Sequence, residues 1–206
     1  MVGDIGVARQ PVWKSEMGLR IGGTVLLVLA GAFALGGSFG TFSEFGYDYG
    51  SPSSSGSNAA STLTYTGWRA ITDPPATSDV APTYVPLDGF PIAVGVVLAL
   101  LAVMVLVTTG RRPAAHVWGR SVGVGAGALL AGVIAEVWMG LLANYGQVYR
   151  QIAAAETDGS GTRYSYAFGF GAWLELAAFA CAVAAVVLLL LSAWLDHKLN
   201  APRCGP

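Results

Sequence analysis

The sequence predicts an all-α integral membrane protein, a bundle of four transmembrane helices with one long, mostly irregular outer loop. Of its 206 residues, 54% are hydrophobic and only 11% are charged, and the mean hydropathy is +0.58. These values lie outside the range of soluble globular domains. Four stretches of at least 22 residues contain only Glu136 and Glu175 as charged residues. Each stretch can cross a bilayer, which requires roughly 20 apolar residues.

The boundaries of the spans follow from these uncharged stretches. We place the helices at residues 19–39, 90–109, 121–145 and 168–195. The segments around them are a cytoplasmic N-terminal segment at 1–18, an outer loop at 40–89 and a cytoplasmic tail at 196–206. The first stretch also fits a signal peptide, because small residues follow it. We expect a retained helix, since its apolar run is longer than a typical signal-peptide core and no A-x-A pattern closes it.

The basic residues predict the orientation of the bundle. The side that carries both termini holds eight of them, and the other side holds three beside seven acids. Cytoplasmic loops retain Lys and Arg, so we expect a multi-pass protein of the plasma membrane with both termini in the cytoplasm. The eight are Arg9, Lys14, Arg20, Arg111, Arg112, Arg120, Lys198 and Arg203, and the three are Arg69, Arg150 and Arg163.

The outer loop changes composition along its length. Aromatic residues within 42–49 suit the membrane interface, and the Ser-rich segment 51–61 is typical of flexible chain. Residues 62–66 alternate in a pattern that favours a short strand, which a turn at Gly67-Trp68 follows. A short β-hairpin with Tyr84-Val85 as its second strand is one hypothesis. The other is an irregular loop in which Trp68 contacts the membrane interface or a partner.

Small residues recur on the third and fourth helices at the spacing of one helix face. Lipid gives helices no hydrophobic reason to associate, so close backbone approach at small residues is what holds them together. We therefore expect the third and fourth helices to pack through these faces. The packing residues are Gly123, Gly127, Ala128, Gly132 and Gly140 on the third helix and Ala178 and Ala182 on the fourth.

Two acids inside predicted spans form the candidate intramembrane polar site. A charged carboxylate deep in a span costs at least ~2.5 kcal/mol on insertion scales, so Glu136 must be paired, hydrated or neutral. One hypothesis is a group that carries protons or coordinates cations, shared with Glu175 and Asn144. The other is a structural hydrogen bond from Glu136 to a neighbouring helix, because interior polar residues often join helices.

Other chemistry finds little support in the residue pattern. Both histidines, His116 and His197, fall in predicted cytoplasmic segments, and no His or Cys pair has ligand spacing, so we expect no metal and no cofactor. The cysteines, Cys181 and Cys204, lie outside the exported loops, which excludes a disulfide there. No nucleophile elbow, P-loop or zinc-hydrolase motif occurs. The basic residues are too few to indicate a nucleic acid partner.

Short segments of the outer loop and at the starts of the second and fourth helices resemble those of a known group of membrane proteins. Residues 63–68 (LTYTGW), 86–91 (PLDGFP) and 169–173 (GFGAW) resemble a broad group of four-helix membrane proteins from high-GC Gram-positive (actinobacterial) species. That resemblance implies a fold and no activity. The arrangement is also similar to that of claudins and peripheral myelin proteins, with a larger first outer loop that contains Trp68. The paired cysteines of claudin loops are absent here, so a junctional function does not carry over.

Three functions remain open at this level. The leading hypothesis is a non-catalytic structural or accessory membrane protein, which contacts the lipid bilayer and packs with itself or with a larger envelope or respiratory complex. The second is a small transporter or channel component that moves protons or cations through Glu136. The third is a membrane enzyme whose site has no recognisable motif.

Overall fold

The computed structural model describes residues 12–49, 60–73, 88–109, 115–158 and 162–200. Within these ranges the chain forms four helices and four strands. The elements in chain order are α1 (Val12–Phe39), β1 (Thr41–Tyr49), β2 (Ala60–Thr66), β3 (Ala70–Asp73), α2 (Gly89–Thr109), α3 (Ala115–Asp158), β4 (Thr162–Phe168) and α4 (Phe170–Asn200).

All four helices are long and apolar enough to cross a membrane. Their candidate spans contain 21 to 38 residues with mean hydropathies from 1.8 to 2.9. The helices form a bundle in which α1 packs on α4 and α2, and α3 packs on the other sides of α4 and α2. The diagonal pair, α1 and α3, makes little contact.

Small side chains fill the centre of the bundle and bring the helix backbones close together. A methyl group on Gly23 of α1 would lie 3.0 Å from Leu189 and 3.3 Å from the carbonyl oxygen of Ala185, both on α4. Such close approach is typical of helices that associate through small residues. The core alanines with no exposed surface are Ala30, Ala34, Ala102, Ala172, Ala178, Ala182 and Ala185.

A four-stranded antiparallel sheet covers one end of the bundle, which we call the sheet end. Its strand order is β3-β2-β1-β4, and Phe45 of β1 pairs with Leu63 of β2 on one side and with Tyr166 of β4 on the other. The predicted strand at 62–66 is thus present as part of β2, but β1 and β3 are its neighbours. Tyr84-Val85, the expected partner, lies outside the described residues.

The helices run further than the apolar stretches that predicted them. The third helix was expected to end at residue 145, whereas α3 continues to Asp158. Residues 146–158 are polar but rich in Ala, Gln and Glu, which favour helix, so helix propensity extends where hydrophobicity ends. With 44 residues, α3 spans about 66 Å, roughly twice the ~30 Å hydrocarbon thickness of a bilayer. Its last turns therefore stand beside the sheet.

Five glycines at the sheet end, the glycine junction, hold three helix ends and the β2–β3 turn together. The amide of Gly67 donates a hydrogen bond to the carbonyl oxygen of Ser38 at 3.0 Å, and Gly40 bonds to Gly37 at 2.9 Å. Added methyl groups would lie 2.8 Å from that Ser38 oxygen at Gly67, and 2.6 Å from the Gly37 oxygen at Gly171. No larger residue fits these backbone contacts. The junction comprises Gly37, Gly40, Gly67, Gly89 and Gly171.

Candidate functional site

One face of α3 that was expected to pack inside the bundle lies on its outside. We call it the α3 outer face. An added methyl group would meet no atom within 4 Å at its three glycines, and its alanine and its acid are exposed too. Glu136 is therefore exposed rather than packed between helices. The α3 outer face comprises Gly125, Ala128, Gly132, Glu136 and Gly140.

The opposite face of α3 packs against α2 and α4. The sequence had predicted that residues on both faces of α3 pack inside the bundle. Methyl groups at Gly123 and Gly127 would lie 2.8 Å from Leu106 and 2.9 Å from Val186, on α2 and α4. Ala178 and Ala182 of α4 are fully buried. Residues two apart on a helix point to nearly opposite sides, so Gly125, between the two packed glycines, faces outward.

The three residues of the predicted intramembrane polar site do not come together. Glu175 is fully buried at the α1–α4 contact, where a methyl group on Gly37 would lie 2.9 Å from its Oε1 atom. Neither of its carboxyl oxygens has a hydrogen-bond partner among the described residues. Glu136 is exposed on α3, and Asn144, two turns further along α3, is exposed as well and lines a cleft.

That cleft lies at the sheet end, between the sheet and the extension of α3, and has a volume of about 330 Å³. We call it the sheet-end cleft. Its walls combine aromatic rings with amides, and one carboxyl group, that of Asp88, stands where the chain enters α2. The lining residues are Phe42, Ser43, Phe45, Leu63, Tyr65, Asp88, Gly140, Leu141, Asn144, Gln147, Val148, Gln151 and Tyr166.

The electrostatics of the cleft are those of an acidic site. Burial raises the pKa of Asp88 above its ordinary value of 3.8, and the neighbouring carboxylate of Glu136 raises it further. Burial also raises the pKa of Tyr65 and of Tyr166, and a hydrogen bond between the Ser43 and Tyr166 side chains opposes the effect at Tyr166. No basic side chain lines the cleft among the described residues.

At the opposite end of the bundle, Arg120 forms the centre of a buried ion-pair cluster that the sequence analysis missed. Its guanidinium donates to Glu16 of α1 at 2.5 Å and to Asp196 of α4 at 3.0 Å, and its side chain is only 6% exposed. Arg20 of α1 donates to the carbonyl oxygen of Leu106 on α2 at 3.0 Å. The two arginines therefore tie all four helices together. Acidic residues beside basic residues at the same helix ends are the sequence signal for this cluster. The arginines there also set the predicted orientation in the membrane.

Trp68, predicted to contact the interface or a partner, is held against α1. Its indole Nε1 donates a hydrogen bond to the Ser38 hydroxyl at 3.2 Å, and its ring stacks on Phe39 with centroids 5.6 Å apart. About a third of its surface remains exposed. Trp68 therefore fastens the β2–β3 turn to the end of α1.

No protein-family model matches this chain, and no curated protein does. Within the described ranges, no three His, Cys, Asp or Glu side chains lie close enough together to hold a metal ion. The α3 outer face and the sheet-end cleft meet at Gly140, which belongs to both.

Proposed function

We propose that this protein is a non-catalytic accessory protein of the cytoplasmic membrane, which crosses the bilayer four times and binds a transmembrane helix of a partner subunit through the α3 outer face. One observation carries the proposal: a row of small residues that includes Glu136 lies open on the outside of α3, while the opposite face of α3 is packed against α2 and α4.

The surface of the bundle supports the membrane setting. Large apolar side chains are exposed along every helix, including Val25 of α1, Met104 of α2, Met139 of α3 and Leu190 of α4. In water such a continuous apolar surface would drive aggregation, whereas in lipid it is the expected exterior. The basic residues that flank the helices favour the orientation in which the sheet lies outside the cell.

The α3 outer face has the chemistry of a helix contact rather than of a lipid contact. Lipid-facing surfaces gain nothing from glycine, while small residues let a second helix approach closely. No ion pair joins Glu136 to another side chain in the described part of the chain, and an unpaired carboxyl group within a membrane span is costly. A partner helix with a hydrogen-bond donor opposite Glu136 would remove that cost.

The separation of the two acids weakens the ion-transport hypothesis by comparison. A proton or cation path through both acids requires that Glu136 and Glu175 line one passage. Glu136 lies on the outside of α3, whereas Glu175 is buried against Gly37 of α1. A single partner contact accounts for Glu136 without Glu175.

Position-specific photocrosslinking in native membranes tests the proposal. A benzophenone side chain is introduced in turn at Gly125, Gly132 and Gly140, and as controls at Gly18 of α1 and the exposed Leu101 of α2. We expect one protein product of constant mass from the three α3 positions and none from the controls. Crosslinks to lipid alone would overturn the proposal. Dimers of the chain with itself would overturn the accessory role, since the partner would then be a second copy.

A further inference from the structure

The sheet-end cleft combines acceptors and aromatic faces without a cation to balance them. Asp88 supplies a carboxyl group to the lining, the carboxylate of Glu136 outside the lining acts on it, and the described lining residues supply no Lys, Arg or His. Two like charges held together raise the free energy of the folded protein unless a proton or a cation joins them. The cleft therefore favours a positively charged occupant.

The uncharged lining specifies the kind of cation. Asn144, Gln147 and Gln151 lie about one turn apart along α3 and line the cleft, and each side-chain amide carries an oxygen acceptor. Tyr65 and Tyr166 stand on the sheet side, where aromatic rings attract a cation through their π faces. Several acceptors around one charge match a group that carries several N–H donors.

The walls of the cleft come from parts of the fold that hold one another in place. Ser43 of β1 is only 4% exposed and bonds to Tyr166 of β4, whose hydroxyl lies 3.5 Å from the carbonyl oxygen of Leu141 on α3. The ring of Tyr166 also packs edge-on against Tyr145 with centroids 5.4 Å apart. The cleft is thus a formed cavity between fixed elements, and its volume of about 330 Å³ falls at the lower end of the range for small-molecule sites.

We propose that the sheet-end cleft binds a primary ammonium group, whose charge Asp88 balances and whose N–H groups donate to the α3 amides. This site is distinct from the helix-docking function of the α3 outer face, and either can hold without the other. A free amine and the headgroup of an amine-bearing phospholipid present the same group. The cleft's position beside the apolar surface of α3 makes both sources accessible.

Binding of defined probes to the purified full-length protein tests the site. Ethanolammonium in detergent solution and phosphatidylethanolamine in nanodiscs represent the two sources, with tetramethylammonium and phosphatidylcholine nanodiscs as matched cations without N–H donors. The readout is the intrinsic tyrosine and tryptophan fluorescence together with the shift in thermal midpoint. We expect at least tenfold tighter binding of a primary ammonium than of its quaternary counterpart. Equal affinities, or no binding of either, would overturn the proposal.

Single-residue variants test whether the amine binds in the sheet-end cleft or elsewhere on the surface. Asp88→Asn should weaken ethanolammonium binding at least tenfold, because a charge-assisted contact is lost. Glu44→Gln removes the same charge from an exposed position on β1 and should leave binding unchanged. Asn144→Leu, at an exposed position of α3, should block the cleft while the thermal midpoint stays near that of the parent protein. Binding that survives both Asp88→Asn and Asn144→Leu would place the amine elsewhere and overturn the proposal.

Helix docking at the α3 outer face and ammonium binding in the sheet-end cleft can be tested independently of each other. Gly132→Leu changes the α3 outer face and lies two turns from Gly140, the first α3 residue of the cleft, so it should leave ethanolammonium binding intact. Asp88→Asn should likewise leave the photocrosslink from Gly132 intact. Loss of the crosslink with binding retained would remove the docking function alone, and the converse result would remove the cleft alone.

Discussion

The amide of Gly89 donates a hydrogen bond to the carbonyl oxygen of Gly67 at 2.7 Å, which joins the start of α2 to the turn after β2. Gly67 in turn bonds to Ser38 at the end of α1. Two successive backbone hydrogen bonds therefore connect two helices through one turn. The contact requires glycine at both positions, because a side chain on either residue would intrude on the other's backbone.

Gly89→Ala should destabilise the protein by about 1–3 kcal/mol, the usual cost of overpacking a filled site. The added methyl group would lie 2.7 Å from the Gly67 oxygen and 2.5 Å from the Trp68 ring. Thermal unfolding in detergent, followed by circular dichroism, measures the change. Gly146→Ala is the matched control in α3, where a methyl group meets nothing within 4 Å, and it should be neutral or slightly stabilising. Equal behaviour of the two variants would contradict the glycine junction.

Arg120→Met should destabilise the bundle by about 3–5 kcal/mol, because it leaves Glu16 and Asp196 as partly buried charges without their shared partner. Adding Glu16→Gln and Asp196→Asn to this variant should recover most of the loss, since both acids that pair with Arg120 are then neutral. Urea or thermal unfolding in detergent compares the single and triple variants. Arg150→Met, at an exposed position, is the control. A triple variant no more stable than the single one would show that the guanidinium acts by packing rather than by charge.

Glu175→Met should stabilise the protein by about 1–3 kcal/mol, the usual penalty of a buried polar group without a hydrogen bond. The substitution keeps a flexible side chain of similar size against Gly37. The thermal midpoint measures the effect. Ser192→Ala should act in the same direction, because it removes a second buried polar group, a hydroxyl without a hydrogen-bond partner in the described ranges. A large loss of stability in Glu175→Met would reveal a role for the carboxyl group that the bundle itself does not explain.

Gly132→Leu should leave the free energy of unfolding within about 0.5 kcal/mol of the parent value, as is usual for surface substitutions. The leucine side chain enters open space on α3 rather than the core. The same variant should abolish the photocrosslink from Gly125, because its bulk keeps a partner helix at a distance. Unfolding of the variant would show that the α3 outer face is covered within one chain after all.

The stability of the protein should fall as the pH rises from about 4 through the raised pKa of Asp88. A carboxyl group with a higher pKa in the folded state holds its proton there while the unfolded chain has lost its own. The contribution of Asp88 is therefore fully present below pH 3.8 and lost once its folded pKa is passed. Glu136 faces it from α3, whereas Tyr65 and Tyr166 titrate only at alkaline pH. Asp88→Asn should flatten this part of the pH profile, and a parent profile without the fall would contradict the assignment.

The apolar stretches predicted the number of helices and their approximate centres, because hydrophobic length is a strong local signal. The sheet was harder to predict, since the pairing of β1 with β4 depends on residues that are distant in the chain. The end of α3 was placed too early because its last turns leave the apolar stretch while remaining good helix formers. A helix end predicted from hydrophobicity is correct only where helix propensity also falls at the same residue.

The small-residue rows were recognised, but not which of them faces inward. Gly123, Gly127 and Gly132 look alike in sequence, and only their rotation around α3 separates the packed glycines from the open one. The cleft could not be foreseen for a related reason. Asp88 and Asn144 belong to different elements, and no local pattern indicates that the sheet closes a cavity between them.

The place of β4 in the sheet has a consequence for the order of assembly. β1 carries partners on both edges, β2 from the same loop and β4 from the segment before α4. During synthesis β1 to β3 emerge well before β4, so one edge of β1 stays open until the chain has been extended past α3. An open edge is where strands of other chains pair. The partly synthesised protein is therefore most exposed to mispairing and to quality-control proteases until β4 has joined β1.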